Sequence, residues 1–194
     1  MRGRVKDDAR RLLVPLAGAL ARMGISPDHI TAAGLGMSFL AGLAAGYGRF
    51  TTAAVALTLS GICDMLDGAV ARAGVTTRFG AFLDSSVDRL SELLLFAGFV
   101  AYFHRVDGSA FFSVLTVFAL GGSFLISYTR ARAEGLGIEC KVGVMERPER
   151  FVLLILALCF GDPGLRTAMV LLPPLAFYTT WQRMAHVHRE SRYL

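Results

Sequence analysis

The stretch GICDMLDGAVARAGVTTRFGAFLDSSVDR, residues 61–89, sets four aspartates between long apolar runs. Asp64, Asp67, Asp84 and Asp88 interrupt segments that suit a lipid bilayer. Ionised carboxylates are among the costliest side chains to hold at membrane depth, so each such group calls for a partner and marks a candidate site.

The rest of the chain supports the membrane reading. It has 194 residues, 54% of them hydrophobic and only 18% charged, where soluble domains usually carry about 25% charged residues. Its mean hydropathy is +0.53. A span needs roughly 20 mostly apolar residues, and the apolar runs with their polar flanks predict six transmembrane helices near 29–48, 53–73, 81–103, 110–132, 147–161 and 165–186. Five basic residues in the first 11 lead into no apolar core of the form a cleavable signal peptide has.

Charge orients the bundle. Of the 20 Lys and Arg residues, all but Arg49, Arg105 and Arg166 fall on the side shared by the N-terminus, the 72–80 and 130–150 loops and the C-terminus. The positive-inside bias puts that side, with both termini and all four aspartates, at the cytoplasmic face of the cell membrane. The net charge of +5 then reads as topology and attraction to anionic headgroups, and no nucleic-acid partner is expected. Cys63, Cys140 and Cys159 lack ligand spacing and read as reduced packing residues.

Residues 4–23 place Val5, Leu12, Leu13, Leu16, Leu20 and Met23 on one helical stripe, with the basic residues mostly elsewhere. This predicts an amphipathic interfacial helix within a juxtamembrane segment, residues 1–24, ahead of a six-helix domain over 25–194. Ser26 as N-cap and Pro27 in the first turn would open the first span, where free N–H groups can meet an anion such as a diphosphate. Gly42-x-x-x-Gly46 allows close helix approach, either within the chain or along a dimer seam.

On helices, Asp64 and Asp67 share a face at i,i+3, and Asp84 and Asp88 at i,i+4. Two adjacent antiparallel helices would bring the carboxylates together, and like charges that close cannot all stay ionised unpaired. A hard divalent cation solves this, and an oxygen-only donor set suits Mg²⁺, Mn²⁺ or Ca²⁺ rather than zinc. Gly68, which costs about 1 kcal/mol in a helix interior, leaves room for close approach beside the carboxylates. Arg72, one turn on, can grip phosphate oxygens. These ingredients suggest phosphoryl chemistry at a membrane surface. Aspartates used as an ion pathway, as in a divalent-cation transporter, are the other reading, although such sites usually lie near the midplane between repeated halves, and no repeat is visible here.

Asp64, Asp67, Gly68, Ala71, Arg72, Gly80, Asp84 and Asp88 fill every fixed position of the signature D-x2-D-G-x2-A-R-x7-8-G-x3-D-x3-D. In this the chain resembles the CDP-alcohol phosphotransferase family. The resemblance implies an all-α integral membrane transferase that moves a phosphatidyl-type group from a CDP-linked lipid to an alcohol and releases CMP. It implies that Asp64, Asp67, Asp84 and Asp88 hold two Mg²⁺ ions, with Mn²⁺ as the alternative, and that Asp88 is also the general base. Pro27, Asp28, His29, Ile30, Thr31, Asp67, Gly68, Ala71, Arg72, Arg78 and Gly80 would line the CDP-lipid site, and a homodimer is the family-level expectation.

The acceptor is read from finer motifs. Branches making phosphatidylglycerol phosphate or cardiolipin tend to read L-D-P-x2-D-K, whereas Leu83–Arg89 reads L-D-S-x2-D-R. That form resembles the branch using inositol phosphate and its archaeal lipid counterparts, as do the residues 127–134 and 146–150. The resemblance therefore implies transfer from CDP-diacylglycerol to inositol 1-phosphate, with glycerol 3-phosphate as the alternative acceptor. Arg130, Arg150 and Arg183 would hold the acceptor phosphate. Arg130 is a departure, since members commonly have Lys there.

Overall fold

Ser26 and Pro27 start the first helix as their residue types predict. The Ser26 hydroxyl accepts the His29 amide at 3.4 Å and meets His29 Nδ1 at 2.7 Å, and Pro27 opens α1, Pro27–Gly46. The computed structural model describes residues 18–19, 22–24, 26–73 and 77–191. The interfacial helix expected over residues 4–23 lies outside the described residues, apart from four positions in its last turns.

Five more helices follow: α2 (Phe50–Ala73), α3 (Arg78–Arg105), α4 (Ala110–Glu134), α5 (Arg147–Cys159) and α6 (Gly161–Glu190). Side-chain caps set two of the starts. Thr77 accepts the Gly80 amide at 2.9 Å, and Ser109 accepts the Phe112 amide at 3.3 Å, each satisfying a donor the helix cannot pair itself. The described residues contain no strand, and the all-α integral membrane fold expected from the sequence is the one observed. α1, α2 and α4 are each long and apolar enough to cross a membrane. α3 and α6 have 28 and 30 residues but carry charged groups along part of their length. α5 has 13 residues, roughly 20 Å of helix.

Glycines set the tightest contact. Gly42 and Gly46 of α1 face α3, and a methyl group added at Gly98 would run into the Gly42 carbonyl. The Gly42-x-x-x-Gly46 pattern thus serves packing inside the chain. Between α4 and α6, a methyl at Gly122 would stand 2.7 Å from the Ala176 Cβ.

The core lies on the half of the bundle away from the aspartates. Phe96, Phe99 and Phe103 of α3 are fully buried with Leu57, Leu165, Met169 and Leu172. A chain of rings, Phe50–Tyr102–Phe103–Phe112, links α2, α3 and α4 at that end. There Arg166 pairs with Asp107 and, at 2.8 Å, with Asp162. Its guanidinium lies 4.7 Å from the Phe112 ring centroid, and the Tyr102 hydroxyl donates to Asp162 at 2.8 Å.

Replacing Gly98 by Ala forces α1 and α3 apart. It is expected to lower the thermal midpoint of the detergent-purified protein by an amount equivalent to about 1–3 kcal/mol. Gly121→Ala, on α4 with nothing within 4 Å of the added methyl, should raise the melt slightly, since Ala favours a helix interior over Gly by about 1 kcal/mol; equal behaviour of the two variants would contradict the close α1–α3 contact.

Candidate active site

α2 and α3 run antiparallel and bring their aspartates to one end of the bundle. One carboxylate oxygen from each of Asp64, Asp84 and Asp88 lies within 4.8 Å of the others. Asp67, one turn along α2 from Asp64, is buried and accepts a hydrogen bond from the Thr31 hydroxyl of α1 at 2.8 Å. The structure therefore groups three of the four aspartates and fastens the fourth to the start of α1. Ile30, next to Thr31, is buried against Leu66 and Val70, so apolar contact on α2 fixes the first turn of α1 beside Asp67. Asp28 and His29 are exposed there and Pro27 is half-buried.

Arg147, the first residue of α5, closes the trio. Its guanidinium donates to Asp64 at 2.6 Å and pairs with Asp88 at 2.7 Å. It also lies 5.4 Å from the Phe151 ring centroid. That ring sits against Gly61, where an added methyl would stand 3.3 Å from it. Gly61 thus lets the first turn of α5 dock on α2 beside Asp64. Arg89 approaches Asp88 at 3.3 Å and spends its shorter bond, 2.7 Å, on the Ser85 carbonyl.

The signature's other positions have local explanations. A methyl at Gly68 would stand 3.3 Å from an Arg72 guanidinium nitrogen, so the clearance at Gly68 admits the arginine of its own helix. Gly80 faces the Thr77 hydroxyl that caps α3. Ala71 is half-buried, while Arg72 and Arg78 are exposed.

The expected acceptor arginines are distributed unequally. Arg150 is buried on α5 and donates to Glu92 Oε1 at 2.6 and 3.1 Å and to the Met145 carbonyl at 3.2 Å. Arg183 is buried on α6, donating to the carbonyls of Val142, at 2.9 Å, and Ile126, with Glu146 3.9 Å away. The two thereby both hold the 142–146 segment. Arg130 is half exposed and pairs with Glu134 at 2.8 Å. A surface cavity of about 490 Å³, lined in part by Glu139, Lys141, His186 and Glu190, touches none of the aspartates.

Sequence reading misses Glu92, and it gives Arg147 no role of its own within the 146–150 motif. For Glu92 a signal existed: it continues the Asp84–Asp88 stripe by one further turn of α3. For Arg147, the i+3 spacing to Arg150 says nothing about which carboxylate each arginine reaches.

The donor chemistry fits a hard divalent cation. The trio offers only carboxylate oxygens, at separations one ion can span, with no His or Cys among them. A helical membrane bundle with such a site at one end suits an integral membrane enzyme of metal-assisted phosphoryl chemistry. Residues 25–182 match the CDP-alcohol phosphatidyltransferase family, and the chain belongs to it. The chain is 40% identical over 193 residues to the phosphatidylinositol phosphate synthase of Mycobacteroides abscessus, covering 96% of this chain and 87% of that one. It is 38% identical over 184 residues to the archaetidylinositol phosphate synthase of Methanothermobacter thermautotrophicus, covering 92% and 89%. The crystal structure of Mycobacterium tuberculosis phosphatidylinositol phosphate synthase with CDP-DAG bound matches at a TM-score of 0.83 and 33% identity, covering 91% of this chain and 94% of that one. The same mycobacterial enzyme in complex with manganese and citrate matches at a TM-score of 0.80 and 33% identity, covering 90% and 88%.

Removing one partner of the Arg150–Glu92 pair leaves a buried charge uncompensated. Glu92→Ala is expected to cost about 3–5 kcal/mol of stability, read as a fall in the thermal midpoint. The paired replacement Glu92→Leu with Arg150→Met should recover most of that loss; a double variant as unstable as the single would show that the pair is not the determinant.

Proposed function

We propose that the chain makes phosphatidylinositol phosphate, transferring a phosphatidyl group from CDP-diacylglycerol to inositol 1-phosphate with release of CMP. The observation carrying this reading is the convergence of Asp64, Asp84 and Asp88 at one end of the bundle, beside a helix start that carries arginines. Two relatives with different lipid names share the inositol phosphate headgroup in those names, which favours that acceptor over glycerol 3-phosphate. The L-D-S-x2-D-R form of Leu83–Arg89 agrees.

In this reading the acceptor hydroxyl attacks the lipid-bearing phosphorus of the diphosphate. A new P–O bond forms, the bridging P–O bond to CMP breaks with its electron pair leaving on CMP, and the hydroxyl proton passes to Asp88. Asp64, Asp67, Asp84 and Asp88 would hold two Mg²⁺ ions, for which Mn²⁺ can substitute, and these when bound neutralise charge on the transferring and leaving oxygens. Thr31 orients the Asp67 carboxylate. Pro27, Asp28, His29, Ile30, Gly68, Ala71, Arg72, Arg78 and Gly80 surround the CDP-lipid headgroup, with the exposed Arg72 and Arg78 supplying charge-assisted hydrogen bonds. Arg130, whose present partner is an exposed glutamate, meets the acceptor phosphate; Arg150 and Arg183, buried and bonded to Glu92 and to backbone carbonyls, would join it only by giving up some of those bonds. The catalytic end faces the cytoplasm of the cell membrane, where the basic side chains concentrate, and the working unit is a homodimer.

Purified protein given CDP-diacylglycerol and Mg²⁺ should release CMP with inositol 1-phosphate and not with free inositol. CMP release with glycerol 3-phosphate alone would overturn the acceptor and leave the reaction class standing. EDTA should abolish turnover and added Mg²⁺ or Mn²⁺ restore it. Asp88→Asn should lower kcat by about 10²–10⁴-fold, the usual worth of a general base, while largely sparing CDP-lipid binding. Arg130→Gln, at a half-exposed position, should raise KM for the acceptor more than for the donor; equal changes would remove it from the acceptor pocket.

A further inference from the structure

We propose that Arg147 is a displaceable counter-ion: its guanidinium stands in for a divalent cation between Asp64 and Asp88 and gives way when the ion binds. The inference rests on the reading of the aspartate cluster as a divalent-cation site. It concerns what this arginine does there, and it does not depend on which alcohol is the acceptor.

The geometry carries it. Arg147 reaches Asp64 at 2.6 Å and Asp88 at 2.7 Å, and these are two of the three carboxylates whose oxygens lie within 4.8 Å of one another. One guanidinium therefore engages two of the carboxylates a metal ion would. It does so with a single positive charge against the four aspartates, where a divalent ion brings two. The backbone that carries it is fixed. Pro148 follows in the first turn of α5, and one turn on Arg150 is locked to Glu92 and the Met145 carbonyl. The guanidinium itself is less committed. Arg147 Nε is buried and has no hydrogen-bond partner among the described residues, and the Phe151 face at 5.4 Å offers a second resting surface for a cation. A fixed pivot with a long, incompletely bonded side chain suits a group that exchanges partners. On leaving the carboxylates, the planar fork, which matches anionic oxygens in pairs, has donors for a phosphate held beside the trio.

The test is Mn²⁺ binding to the purified full chain without lipid or acceptor, followed by electron paramagnetic resonance of free Mn²⁺. If Arg147 competes with the ion, Arg147→Gln should tighten Mn²⁺ binding by at least about tenfold, since a unit charge in contact with two ligands is removed. Arg147→Lys, which keeps the charge and loses the fork, should tighten it less. Arg89→Gln separates competition from the general field, because Asp88, at 3.3 Å, is the one aspartate of the four that Arg89 contacts. Its effect should be clearly the smaller. Unchanged or weaker Mn²⁺ binding in Arg147→Gln would overturn the proposal, and so would an equal gain in Arg89→Gln. Melting gives a readout free of turnover. Arg147→Gln should start lower than the unsubstituted protein and gain more from saturating Mn²⁺. A variant that stays unfolded with Mn²⁺ present would make Arg147 a structural strut and overturn the proposal as well. None of these outcomes turns on CMP release, so a wrong acceptor and a wrong role for Arg147 can be told apart.

Discussion

Mutual repulsion among Asp64, Asp67, Asp84 and Asp88 is the constraint around which the rest of the bundle is organised. Two unit charges about 5 Å apart at an effective dielectric of about 20 repel by about 3 kcal/mol, and a trio contains three such pairs. Against a typical folding stability of about 5–15 kcal/mol, that load must be offset locally. Arg147 offsets it by donating to Asp64 and pairing with Asp88, Arg89 adds a weaker contact to Asp88, and Thr31 draws Asp67 toward α1. Each offset comes from a different helix. The aspartates thus act as a seam to which α1, α3 and α5 are fastened on α2.

The fastening requires that the helices approach closely. Gly42 and Gly98 let α1 and α3 touch backbone to backbone, and Gly61 lets the Phe151 ring pack against α2. The far end of the bundle carries a second polar group, in which Arg166 pairs with both Asp107 and Asp162 and Tyr102 donates to Asp162, against aromatic rings. What sets the aspartate end apart is convergence: carboxylate oxygens of Asp64, Asp84 and Asp88, from two helices, lie within 4.8 Å of one another, the arrangement that suits a cation.

Much of this was legible in the sequence because it is periodic. Six helices follow from runs of apolar residues, and the facing of Asp64 with Asp67 and of Asp84 with Asp88 follows from 3.6 residues per turn. Caps were legible too, as at Ser26. Pairings between helices were not. Arg150 and Arg147 differ by three residues on one helix, yet one is buried on Glu92 and the other spans two aspartates; only the register of α5 against α2 and α3 decides this. Gly68 is the instructive case. Its spacing suggested clearance for a ligand, and the clearance is occupied by the arginine one turn away. A glycine records that something lies close and leaves its identity open.

The depth of the site explains why α5 is short. Asp64 lies nine residues before the end of α2 at Ala73, about 14 Å of helix, and Asp88 lies ten residues into α3 from Arg78, about 15 Å. α5 begins at the level of those two carboxylates, because its first residue bonds them. It ends beside the start of α2, where Gly161 lies against Phe50. From Phe50 to Asp64 is about 21 Å of helix, and the 13 residues of α5 supply about 20 Å. α5 therefore covers only the part of the membrane beyond the site, and α2 and α3 extend past its start. A full-length α5 would have carried Arg147 away from the aspartates and filled the space beside them. The helix that reads least like a membrane span is short because its N-terminus is part of the site.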